Sequence, residues 1–172
     1  MMSAVKDGDM RAFSELMSRH QQSLLNFFYR MGVYNDAEDL VQEAFVRLYN
    51  YRDRYRPTAK FTTFLYMIGR QVRLDLARKE VRKEAFVQKY SKDVEEQNLP
   101  NRSAAENRRI DIEPCLEKLP EQMREVIVLS FYQNLKYLEI AEILDIPVGT
   151  VKSRMFNAMN ELRSLINEQS KQ

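Results

Sequence analysis

The sequence predicts an all-α protein: two small helical domains joined by a flexible linker, the C-terminal one containing a helix-turn-helix. Three observations predict it. Apolar residues recur at helical spacing through both ends of the chain, with no strand-like alternation of any length. Four Gly and five Pro in 172 residues are too few for an architecture of turns and short strands. Between Ser91 and Asp111 the pattern fades into a polar segment containing Pro100. The domains are therefore placed at 8–90 and 112–170, with the tether at 91–111.

The first block starts with Phe13, Leu16, Met17, His20, Leu24, Phe27 and Phe28 on one helical face, and Gly32 ends that run. Asn35 with Glu38 three positions later has the form of a capping box. Ala37, Leu40, Val41, Ala44, Phe45 and Leu48 make the next apolar stripe, opposite a polar face of Asp36, Glu38, Asp39, Gln42 and Glu43. A polar connection around Pro57 leads to a third helix with Phe61, Leu65, Ile68, Val72 and Leu76 inward. Each helix is amphipathic and needs its neighbours for burial, which makes a small bundle.

In the second block, Leu119, Met123, Val126 and Ile127 mark one helix, with Pro120 near its first turn. Tyr137, Ile140, Ala141 and Leu144 mark a short helix, which Asp145, Ile146 and Pro147 interrupt. Val151, Met155, Ala158, Leu162 and Ile166 mark a longer one. This is the helix-turn-helix order. Ile146 is the apolar plug of the turn. Val151 and Met155 pin the last helix inward, which leaves Lys152, Ser153, Phe156 and Asn157 outward, with Thr150 and Arg154 at the edges. In a major groove such side chains reach base edges and flanking phosphates. Spacing alone also fits a solvated basic surface.

Composition excludes several classes. Cys115 is the single cysteine, so no internal disulfide forms. One cysteine and one histidine, His20, are too few for a structural zinc site. No glycine loop for phosphate, no two-histidine metal set and no paired general acid and base are present. No catalytic residue, metal or cofactor is expected. There is no apolar run long enough for a bilayer and no leader-like N-terminus, so a cytoplasmic protein without membrane insertion is expected. Net charge is only +2, but residues 1–90 carry +5 and residues 91–172 carry −3. The local excess is what a polyanion meets.

These residues carry a resemblance. "DAEDLVQEAFVRLY", "FTTFLYMIGRQVRLDLARK" and "LPEQMREVIVLSFYQNLKYLEIAEILDIPVGTVKSRMFNAMNELRSL" occur in that order, and the chain resembles a bacterial extracytoplasmic-function (group 4) sigma factor over 13–83 and 119–165. The resemblance implies sigma regions 2 and 4, binding to core RNA polymerase through its beta-prime clamp helices and beta flap, and recognition of promoter DNA. It also implies an anti-sigma factor as partner. By the same resemblance Asp36, Asp39, Gln42 and Glu43 lie on the polymerase-docking face. Tyr55, Arg56, Thr58, Lys60, Phe61, Phe64, Gln71 and Arg78 are the counterparts of the minus-10 strand contacts. Thr150, Lys152, Ser153, Arg154, Phe156 and Asn157 match the minus-35 contacts.

The chemistry is consistent with those roles. An aromatic ring among cations suits an unstacked single strand, ring for base and cation for phosphate. Phe64, Gln71 and Arg78 repeat every seventh residue and share one side of their helix. Phe64 stands where the family often has Trp, and Gln71 where it has Asn. Asp145 replaces the usual glycine of the turn, which it can do by tolerating a left-handed backbone. Lys136 stands where a capping Ser is common, which predicts a frayed helix start. Asn157 and Met159 stand where many relatives carry Arg. The alternative function is an autonomous helix-turn-helix DNA-binding transcriptional regulator, for which the acidic and basic-aromatic helices of the first block would be superfluous. A third is an adaptor bundle without DNA binding.

Overall fold

A computed structural model describes residues 1–56, 58–90 and 112–169, the last four residues of the middle segment by backbone alone. The tether expected at 91–111, Pro57 and the end of the second domain at 170 lie outside them. Every regular element among the described residues is helical.

Helix α1 spans Met2–Lys6 and buries Met2 and Val5. It packs on α2, Met10–Arg30. The Asp9 carboxylate accepts from the N–H groups of Arg11 and Ala12 at 2.9 and 3.1 Å, satisfying donors that a helix start leaves open. Leu16, Leu24, Phe27 and Phe28 are buried. The chain leaves α2 through Gly32, at φ 84°, a left-handed conformation that glycine adopts without strain.

Helix α3 spans Ala37–Asn50. The capping box expected from Asn35 and Glu38 does not form. Asp36 is the N-cap, so Glu38 falls at the second helical position rather than the third, and no side chain closes the end. Helix α4 spans Phe61–Tyr90. Its Leu65, Ile68 and Val72 are buried against α2 and α3, and Phe61 and Leu76 pack at the margin. Gly69 permits a close crossing: a Cβ there would stand 2.8 Å from Leu24 Cδ1.

In the second domain, α5 spans Glu113–Lys118 and α6 spans Glu121–Ile127. Leu119, expected at the head of a single helix, is instead extended (ψ 143°) between the two. Pro120 causes the break, because a proline disfavours helical backbone in the residue before it. Helix α6 continues into a π-helical turn, Val128–Tyr132. Helices α7, Tyr137–Leu144, and α8, Val148–Gln169, complete the fold.

Between α7 and α8, Asp145 takes φ 54° and ψ 50°, the left-handed cap its position requires. The frayed start expected at Lys136 is closed from the other side: its backbone N–H donates to Glu139 Oε2 at 2.7 Å. Val151, Met155, Ala158 and Leu162 are buried, and Ile146 and Ile166 pack against the core. Cys115 is fully buried.

The two helical groups lie against each other. Helix α7 packs along α4, and α5 and the π turn pack on α2. The apolar core runs through both.

Candidate nucleic-acid interface

Helix α8 presents the front that its sequence implied. Lys152, Ser153, Phe156 and Asn157 are exposed, and Phe156 shows 68% of its surface to solvent. Thr150 and Arg154 are half-buried at the edges. Burial of Val151, Met155 and Ala158 fixes the rotation of the helix about its axis. Ser153 Oγ donates to the Thr150 carbonyl at 3.0 Å, which ties its side chain back to the first turn.

A second feature forms where the connection after α3 meets α4. An open cavity of about 370 Å³ is lined by Tyr51, Arg54, Tyr55, Arg56, Thr58, Ala59, Phe64, Met67 and, from α7, Glu142. The Tyr51 and Tyr55 rings stand 5.6 and 5.2 Å from that of Phe64. Tyr55 is 9% exposed, so it acts as a wall. Tyr51 is the freer ring, at 47%.

The structure brings Tyr55, Arg56, Thr58 and Phe64 together at this cavity and sends the other candidates elsewhere. Phe61 lines a neighbouring cavity with Tyr55 and packs 5.1 Å from the His20 ring. Burial, then the Arg19 charge, pulls His20 below its ordinary pKa. Lys60 pairs with Glu139 at 3.0 Å. Gln71 is exposed further along α4. Arg78, also exposed, pairs with Asp75 at 3.0 Å, the local pair its spacing permits. Sequence reasoning missed Tyr51, Arg54 and Met67. Tyr51 was discoverable as an aromatic four residues before Tyr55, but nothing local sets its ring toward Phe64.

The acidic face of α3 is also in place. Asp39, Gln42 and Glu43 are exposed and Asp36 is half-buried. Val46, one turn on, is 53% exposed, whereas Phe45 is 1% exposed and belongs to the core. Val46 is therefore an exposed apolar residue on that face. Glu43 is held by Arg47 at 2.7 Å.

Between the domains, Glu125 is buried and accepts from Arg70 Nε at 3.0 Å and Arg73 at 3.2 Å. Arg73 also meets Glu121 at 2.7 Å. The Tyr66 hydroxyl bonds the Gln133 amide oxygen. Burial pushes that phenol well above its ordinary pKa, so it donates as a neutral O–H. The Arg30 guanidinium lies 4.0 Å above the Tyr132 ring.

Comparison with known proteins places the chain in a family. Family profiles described as Sigma-70 region 2 and Sigma-70, region 4 match residues 16–83 and 109–162. The chain is 35% identical to the ECF RNA polymerase sigma factor SigW of Bacillus subtilis, over 95% of this chain and 94% of that protein. It is 32% identical to the ECF RNA polymerase sigma-E factor of Escherichia coli K12, over 92% and 88%. Among solved structures it is similar to CnrH in complex with the cytosolic domain of CnrY, with TM-score 0.71, 25% identity and 97% and 96% of the two chains covered. It also shares the fold of the sigma factor RpoE of Bartonella quintana in complex with the anti-sigma factor NepR, with TM-score 0.75, 24% identity and coverage of 92% and 98%. With both regions matched in order and full-length relatives above 30% identity, the chain belongs to the sigma-70 family as an extracytoplasmic-function RNA polymerase sigma factor.

Proposed function

We propose that this sigma factor docks on core RNA polymerase through α3, reads the minus-35 duplex with the front of α8, and holds a minus-10 base in the aromatic cavity. The exposed α8 front, with its rotation fixed by three buried residues, is the observation that carries the reading. Lys152 and Arg154 supply charge for the backbone, and Ser153 and Asn157 supply groups for base edges. Phe64, with Tyr51 beside it, offers a stacking surface for an extruded base, and Arg54 and Arg56 stand close enough to meet its phosphates. The acidic α3 face, with Val46 at its centre, has the charged surround and apolar middle of an interface. The domains are taken as 8–90 and 112–170, with 91–111 between them. Two weak contacts on one chain strengthen each other through effective concentration.

CnrH was solved with the cytosolic domain of CnrY, and that likeness supports a protein partner here, which membership of the sigma family makes an anti-sigma factor. The acting compartment is the cytoplasm, where core polymerase resides. No helix among the described residues is long and apolar enough to cross a membrane.

The test is transcription from genomic fragments by purified core polymerase, with and without the protein. Discrete new transcripts are expected, lost with Arg154→Ala through the duplex contact and with Glu43→Lys through docking. A competent core that neither associates with the protein nor gains a transcript would overturn the assignment.

A further inference from the structure

We propose that helix α1 is a positioning element for the aromatic cavity: packed behind Tyr55, it sets the wall that faces Phe64. This rests on the reading of that cavity as the minus-10 strand contact, and names what holds the cavity in shape.

The wall belongs to a lightly tied connection. A 3-10 turn, Arg52–Arg54, leads into Tyr55. Short-range backbone bonds follow the chain through it. The Arg54 N–H donates to the Tyr51 carbonyl at 3.0 Å, the Tyr55 N–H to the Arg52 carbonyl at 3.2 Å, and the Thr58 N–H to the Arg56 carbonyl at 2.8 Å. Turns held by bonds of this kind open more easily than packed helices. Arg52 steadies the end nearest α3, donating to the Tyr49 carbonyl at 2.9 Å with its guanidinium 4.0 Å above the Tyr49 ring. Tyr55 lies beyond that anchor, and its burial comes from what packs around it.

Two cavities share Tyr55 as a wall. In front stands Phe64, with ring centroids 5.2 Å apart. Behind is a second open cavity of about 350 Å³, whose lining includes Met2 and Ser3 of α1, His20 of α2 and Phe61 of α4. A ring with open space on both sides lacks the dense packing that fixes a core side chain. The residues at its back therefore limit how far it can retreat. Helix α1 also packs directly on the 3-10 turn.

Helix α1 holds this place conditionally. Its five residues are too few to persist as an isolated helix. Burial of Met2 and Val5 keeps it docked. The chain doubles back into α2 through Gly8 at φ 91°, and the Asp9 N–H donates to the Ala4 carbonyl at 2.9 Å. A Cβ on Gly8 would meet nothing within 4 Å. A side chain there acts through the backbone alone, because only glycine takes that conformation freely.

The experiment uses the full chain bound to core polymerase. The probe is a fluorescein-labelled single strand carrying the minus-10 sequence of a promoter mapped in the transcription test. Gly8→Val strains the fold-back, and Val5→Ser weakens the docked face by a separate route. Both are expected to lose roughly tenfold in strand affinity, the change when a competent wall falls from a major to a minor population. Hydrogen exchange over residues 51–56 should accelerate in both. Affinity for core and for minus-35 duplex should stay parental. Gly8→Asn should restore most of the strand affinity, because Asn tolerates positive φ better than a β-branched residue does.

Faster exchange over 51–56 with parental strand affinity would overturn the proposal, and so would unchanged exchange. Equal losses toward strand, duplex and core would reduce α1 to a general support of the fold and overturn it as well. A Phe64→Ala variant that captures the strand as well as the parent would instead remove the cavity reading on which the proposal rests.

Discussion

Arg47 on α3 and Asp75 on α4 meet at 2.6 Å, joining the helix proposed to dock polymerase to the helix proposed to hold the strand. Arg47 also holds Glu43, and Asp75 also holds Arg78, so four side chains form one line of alternating charge. The hydrogen bond from Arg47, foremost, holds the Asp75 carboxyl below its usual pKa. A depressed carboxyl contributes stability above its unfolded pKa and loses it as pH falls through the folded value. Asp75→Asn is therefore expected to flatten the fall in melting temperature below about pH 4, while changing stability at neutral pH by under ~1 kcal/mol because the line is half-exposed. Parallel thermal melts across that range check it; an unchanged acid limb would count against the line of charge.

Glu139 is depressed for a different reason, chiefly the N–H of Lys136 that it accepts. Its carboxylate closes the start of α7, so Glu139→Ala removes a cap and is expected to cost about 1 kcal/mol. Hydrogen exchange in the first turn of α7 should accelerate in the variant, with α8 little affected.

Neighbouring residues on α3 should separate folding from docking. Phe45→Ala removes a fully buried ring and should cost about 3–5 kcal/mol. Val46→Asp changes an exposed residue and should leave stability within about 0.5 kcal/mol. Only the second is expected to abolish association with core polymerase while the chain remains folded, as co-elution with core and circular dichroism would show.

Asp145 spends its folded life at φ 54°. Side chains disfavour that region by roughly 1–2 kcal/mol, a cost that glycine escapes but that Asp reduces by local hydrogen bonding. Asp145→Gly is thus expected to stabilise the second domain by under about 1 kcal/mol, and Asp145→Val to destabilise it. Denaturant midpoints would reveal either sign.

On α8, Lys152→Ala should reduce the slope of log affinity against log salt for minus-35 duplex by about one unit, the signature of a lost phosphate contact. Asn157→Ala should instead narrow the gap between matched and mismatched duplexes. Fluorescence anisotropy over a salt series distinguishes the two.

Helices α2, α3, α4 and α8 were legible because each is long enough for its apolar period to repeat. The turn was legible because Asp145, Ile146 and Pro147 break that period. Helix α1 was not, since five residues with Met2 and Val5 inward show no period. The break at Leu119 was misread because its apolar side chain fits the stripe while Pro120 acts on its backbone. The α3 cap failed by a single position, which is within the ordinary uncertainty of helix ends. At the candidate interface, the outward set on α8 followed from helical geometry. The partners of Lys60, Arg70 and Arg73 did not, because Glu121, Glu125 and Glu139 are distant in sequence. The charge imbalance between the halves was visible, but its meaning depended on how they pack.

The uneven exposure of the two proposed DNA contacts has a consequence in time. If α8 is the duplex contact and α4 the strand contact, as proposed, a chain with α8 bare and Lys60, Arg70 and Arg73 engaged would grip intact duplex before it accepts a melted base. Arrival and commitment then become separate events: a visit to duplex that does not open leaves α4 closed and ends quickly. A strand that separates nearby competes for Lys60, Arg70 and Arg73, and its capture prolongs the visit. The fold would thereby make residence depend on whether the DNA beneath it has opened.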